Sequence, residues 1–150
     1  MGLLDFLKNI IKNENTEVKE ETTMKNQKQI IYEKMIEVTH TNTDGRQKLI
    51  KQLIKNDDFL KGNDYFQDEL IGCDADIEDN EMPSGKKCIN VIVRLDENKY
   101  PSHLGYIPEN LEDELHEEVK KADGYSVDLY VNTEEDGKYS LKVKIKFYKL

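Results

Sequence analysis

The sequence predicts an α+β protein, mainly β: a six-stranded, partly open antiparallel barrel with two flanking helices, preceded by a short N-terminal amphipathic helix. Three observations carry that expectation. Period-two alternation recurs in short segments, most clearly where Tyr139, Leu141, Val143, Ile145 and Phe147 alternate with Ser140, Lys142, Lys144, Lys146 and Tyr148. Beyond the N-terminus only two segments, after Asp44 and after Pro108, place apolar residues at helical spacing. Most connections are short, and the order β-α-β-β-β-α-β-β suits antiparallel strands closing on themselves.

The elements follow in order. Leu3, Leu4, Leu7, Ile10 and Ile11 form one helical face, opposite Asp5, Lys8, Asn9 and Lys12. Such a helix frays or docks on its own domain, or it meets a membrane surface or a protein partner. Asn13 to Lys28 is polar, with Val18 and Met24 its sole apolar residues, and reads as a flexible linker. Residues 1–28 are therefore expected to be an appendage, and 29–150 the barrel domain. Gln29 to Thr41 reads as a strand, with Ile36 and Val38 inward and His40 next in the alternation. Asp44 is expected to cap a helix whose buried stripe is Leu49, Ile50, Leu53 and Ile54, with Gln47 completing a capping box. Asn56 to Asn63 reads as a loop.

Tyr65 to Ile77 contains one strand centred on Glu69 to Asp74, and Glu78 to Gly85 reads as a turn from its Asn, Pro, Ser and Gly. Lys87 to Leu95 alternates, with Ile89, Val91, Val93 and Leu95 on one face. Asp96 to Ser102 is a polar loop. His103 to Ile107 is a short strand running into Pro108, which suits the first turn of a helix. Leu111, Leu115, Val119 and Ala122 form that helix's stripe, with Gly124 as its left-handed cap. Tyr125, Val127, Leu129 and Val131 face inward on the next strand. Asp136-Gly137 marks the final hairpin.

Composition limits function. The net charge is −9, from 22 Lys and Arg against 31 Asp and Glu. A large electrostatic nucleic-acid footprint is normally basic, so only a small one fits. Cys73 and Cys88 make no CxxC pair; reduced thiols in a cytoplasmic protein are expected, although a hairpin could set the two face to face. No run approaches the ~18 residues of a membrane span. The start lacks a signal peptide's basic region and cleavage site, and Phe6 breaks the myristoylation pattern.

Motifs for catalysis or metals fail on inspection. Asp74, Asp76, Glu78 and Asp79 fall near calcium-loop spacing, but Asp79 stands where glycine is required and Gly85 where the bidentate Glu belongs. Ser84-Gly85-Lys86-Lys87 is broken as a phosphate loop by Asn80 and Lys87. His40, His103 and His116 lack metal-ligand spacing, and no nucleophile–base pair stands out, so neither an enzyme nor a cofactor is expected. Two basic groups remain: Lys86 and Lys87 beside the turn, and Lys142, Lys144 and Lys146 along one face of the last strand. The latter stripe is either a solvent face balanced by Asp128 or a small phosphate-contacting surface.

Three stretches resemble the HIRAN family: MIEVTHTN (Met35 to Asn42), DGRQKLIKQL (Asp44 to Leu53), and KKCINVIV paired with HLGYIP (Lys86 to Val93, His103 to Pro108). HLGYIP followed by an acidic–Leu helix is the most specific. The resemblance implies a small OB/SH3-like β-barrel that binds single-stranded DNA at its 3′ end. The family grips DNA with an Asn-Pro-Tyr-Asp turn, aromatics near the first strand, and nearby lysines. Here the turn reads Met82-Pro83-Ser84-Gly85, Glu37 replaces a glycine, and His40 stands in an aromatic position. The remnant pocket implied is His40, Pro83, Ser84 and Lys86. The expectation is a weak, salt-sensitive binder of single strands or DNA ends; the alternative is a protein-interaction module tethered through its N-terminal apolar face.

Overall fold

A computed structural model describes residues 28–95 and 100–150. The amphipathic segment carrying Leu3, Leu4, Leu7, Ile10 and Ile11, and the linker up to residue 27, lie outside them, as do residues 96–99. Described are strand β1 (Gln29–Glu37), helix α1 (Asp44–Lys55), β2 (Glu69–Ile71), β3 (Asp74–Glu81), β4 (Lys87–Arg94) and β5 (Ser102–Tyr106). A 3₁₀ turn (Glu109–Leu111), helix α2 (Glu112–Val119), β6 (Gly124–Thr133) and β7 (Tyr139–Lys149) complete the chain. The protein is mainly β, with two helices. Every strand pairing is antiparallel: one sheet runs β1-β7-β6-β2, the other β3-β4-β5. Among the described residues a single bridge, Thr39 to Tyr106, connects the ladders, so the sheets do not close.

Alternation produces the core. Leu141, Val143, Ile145 and Phe147 of β7 are fully buried, as are Ile89, Val91 and Val93 of β4. They share one cluster with Leu115 and Val119 of α2 and with Ile50, Leu53 and Ile54 of α1.

Four local expectations are corrected. First, the described strands number seven, because Tyr65 to Ile77 holds the whole of β2, a break at Gly72–Cys73 and the start of β3. Glu78–Glu81, expected as a turn, continues β3 and pairs with Lys87–Asn90, which confines the turn to Met82–Lys86. Second, Thr43, not Asp44, caps α1, its hydroxyl accepting from the Arg46 amide. Gln47 completes no capping box. It is buried, takes the Tyr139 N–H on Oε1, and donates from Nε2 to the carbonyls of Tyr139 and Thr41. A side-chain amide presents the donor and acceptor of a peptide unit, so Gln47 serves β7 as one extra strand partner. Third, α2 stops at Val119, and Gly124 does not cap it. Gly124 opens β6 opposite Tyr148, because the ladder with β7 captures the chain there. Fourth, His40 does not continue the inward alternation of Ile36 and Val38. Its φ of +62° turns the side chain out, and it is exposed. Such a φ is uncommon for a residue with a Cβ.

Candidate functional site at the seam between the sheets

The turn residues and the lysine stripe occupy separate surfaces. Pro83, Ser84, Lys86 and Lys87 are exposed at the β3–β4 tip, where Gly85 takes φ +88° and Met82 and Lys86 close the loop. Lys86 forms an ion pair with Glu109 at 2.5 Å. No hydrogen bond or ring contact joins this tip to His40. The pairing of Asn90 with Tyr106 and of Lys87 with Glu81 sets them three residue steps, about 10 Å, apart along β4. Lys142, Lys144 and Lys146 do line one face of β7, but acids stand across from each: Glu37 opposite Lys142, Asp128 opposite Lys144, Glu33 opposite Lys146. Lys142 also pairs with Asp68 at 3.3 Å, and Lys144 lies over the Tyr130 ring. The stripe is thus charge-balanced.

A different group forms where the sheets meet. Tyr106 ends β5 and exchanges both backbone hydrogen bonds with Thr39. Gly105 permits that approach: a Cβ there would lie well inside contact with the Thr39 carbonyl oxygen and 2.7 Å from Val38 Cγ1. Around Tyr106 stand His40 and His103, each edge-on, with ring centroids 5.4 and 4.6 Å away. The Arg46 guanidinium, from the first turn of α1, sits over the Tyr106 ring at 5.4 Å. Arg46 also donates to the His40 carbonyl, which helps hold that residue in its left-handed conformation, and lies 3.3 Å from His103 Nδ1. Among the described residues it has no acidic partner.

The contacts fix the His103 tautomer. Nδ1 faces a guanidinium, which only donates, so it accepts; Nε2 then carries the hydrogen and donates to the Gly105 carbonyl at 2.8 Å. Burial, then the Arg46 charge, push the His103 pKa below its ordinary value. The sign follows: protonation is disfavoured when folded, so the stability held by neutral His103 is present above about pH 6.5 and is lost as pH falls below it. Between about pH 7.5 and pH 5.5 the wild type should lose more unfolding free energy than His103→Asn, measured by urea titration. Equal losses would mean that His103 is not held neutral.

Chemically the cluster offers three rings and a positive charge. The Thr39 hydroxyl donates to the Tyr106 carbonyl at 3.1 Å, so its proton is not directed at a base even though His40 Nδ1 lies 3.0 Å away. Among the described residues no group of His, Cys, Asp and Glu could hold a metal ion. Cys73 and Cys88 are free; Cys88 faces Asn80 across the ladder rather than Cys73. Burial pushes the Cys73 thiol up to about 12 and raises that of Cys88, so neither is a ready nucleophile. No described helix is long and apolar enough to cross a membrane.

Sequence reasoning singled out His40 but missed Arg46, His103 and Tyr106 as its companions. The usable signal was HLGYIP, whose Gly105 marks a close backbone approach. Comparison with known proteins adds no relative: no family model, curated protein or solved structure matches the chain.

Proposed function

We propose that the protein is a HIRAN-like binding module for single-stranded or 3′-end-containing nucleic acid, with its pocket at Tyr106 rather than at the β3–β4 turn, and with no catalytic role. One observation carries this reading. In a chain of net charge −9, an arginine without an acidic partner among the described residues is gathered with three rings around a sheet seam. Stacking on rings and guanidinium planes, with a cation for the phosphate, is how single strands are held without a broad basic surface. HLGYIP, the stretch that most resembles the family, supplies His103 and Tyr106, and two sheets around one core are compatible with the family's partly open barrel. Lys86 contributes little in this reading because Glu109 already neutralises it.

The test is fluorescence anisotropy with short labelled single strands bearing a free 3′ end, at low and high salt. His40→Asn keeps a residue that tolerates left-handed backbone but removes the ring. With Arg46→Gln it should weaken binding at least ~10-fold, as expected for roughly 1–3 kcal/mol per stacked base. Lys86→Glu with Lys87→Glu should change it about two-fold at most. Absence of wild-type binding at low salt would overturn the reading in favour of a protein partner.

A further inference from the structure

Helix α1 carries a second feature that the ring cluster does not use. Lys48, Lys51 and Lys55 line an open depression of about 560 Å³ together with the amides Gln52 and Asn56. The helix holds one acid, Asp44, in its first turn. Among the described residues none of the three lysines has an ion-pair partner, and unlike Lys144 and Lys146 of β7 they have no acid set across from them in a strand ladder. At about 100° per residue the three lysines share a ~60° arc, turned away from the buried Ile50, Leu53 and Ile54. Arg46 falls on the other flank, so the ridge is a separate surface, about one helix diameter (~10 Å) from the Tyr106 cluster.

Its chemistry selects the occupant. Lys48 to Lys55 covers roughly 10 Å of helix axis, close to three stacked nucleotide steps of about 3.4 Å. Lysine ammonium groups and Asn or Gln amides are among the side chains that contact phosphates. No apolar side chain lines the depression, so it lacks the buried anchor that a protein partner uses. The unopposed cations make this ridge complementary to a polyanion, although the chain as a whole repels one. We infer that the outer ridge of α1 is a phosphate-backbone contact surface, engaged by a single strand that continues past the Tyr106 cluster. This rests on the proposed nucleic-acid reading and adds to it a dependence on strand length.

The experiment compares a tetranucleotide with a dodecanucleotide, both labelled and single-stranded, over a series of salt concentrations. The full chain is compared with a triple Lys48→Gln, Lys51→Gln, Lys55→Gln variant. Single strands lose affinity with a slope of about −0.7 per phosphate contacted, so three contacts should steepen the wild-type dodecanucleotide slope by ~2 relative to the tetranucleotide. The triple variant should lose that increment and keep tetranucleotide affinity within about two-fold. Its melting temperature should be unchanged, and Lys→Arg at all three positions should restore the slope. A triple variant with the wild-type slope on the dodecanucleotide overturns the ridge and leaves the Tyr106 reading intact. Equal loss of both lengths in the triple variant overturns the ridge as an extension of the path. Failure of the wild type to bind either length at low salt overturns both readings.

Discussion

Leu115→Ala should cost roughly 2–5 kcal/mol in urea unfolding, the range for truncating a fully buried leucine. Leu115 is 0% exposed and belongs to the core cluster of the described residues. The helix that carries it, α2, has eight residues, too few to hold its own shape in water. Apart from Leu115 and Val119, α2 is tied down by polar contacts: Glu114 to Tyr32 and Lys34, and His116 to Asp79. The Lys34 pair is exposed, and such pairs contribute 1 kcal/mol or less, so Lys34→Ala should cost under ~1 kcal/mol. Leucine burial therefore decides whether α2 docks. A loss below about 1 kcal/mol for Leu115→Ala would show that the helix is not anchored there.

The pattern of what was legible follows from where each signal resides. The strand β7 could be read because its two faces differ in chemistry, and so could the Asp136-Gly137 hairpin, in which Gly137 takes φ +85°. The second half of β3 could not. Past Ile77 its residues are Glu, Asp, Asn and Glu, so no apolar alternation survives; what makes it a strand is its ladder with β4, a tertiary fact. Gln47 shows the same limit at a single residue. Near a helix start a glutamine reads as a capping partner, and nothing local reveals that Tyr139, 92 residues on, takes its amide instead. The ring cluster has the longest reach: Arg46 and His103 are 57 positions apart, and the seam that brings them together depends on Gly105. A single sequence displays that glycine but not the carbonyl against it.

Gly105→Ala should destabilise the protein by roughly 2–5 kcal/mol and loosen the candidate site in the same step. Two effects oppose each other. Replacing a strand glycine with alanine gains about 0.4–1 kcal/mol by restricting the unfolded chain where the native backbone accepts it. Here the new Cβ meets the Thr39 carbonyl oxygen, a backbone atom that cannot swing away as a flexible side chain would, and Thr41 Cγ2 lies 3.3 Å off on another side. Relief requires β5 to separate from Thr39. Separation gives up the two backbone hydrogen bonds of the bridge, 2.9 and 3.0 Å long, at about 0.5–1.5 kcal/mol each, on top of overpacking strain of about 1–3 kcal/mol. Strain and lost bonding together exceed the entropic gain, so the sign is destabilising. Because His40 follows Thr39 and Tyr106 follows Gly105, separation also spreads the rings. Gly105→Ala should therefore bind single strands more weakly than wild type at temperatures where both are folded. Adding Val38→Ala removes the Cγ1 contact but leaves the carbonyl in place, so it should not restore the melting temperature. Recovery in that double variant would identify the Val38 side chain, and not the Thr39 backbone, as the obstacle at the seam.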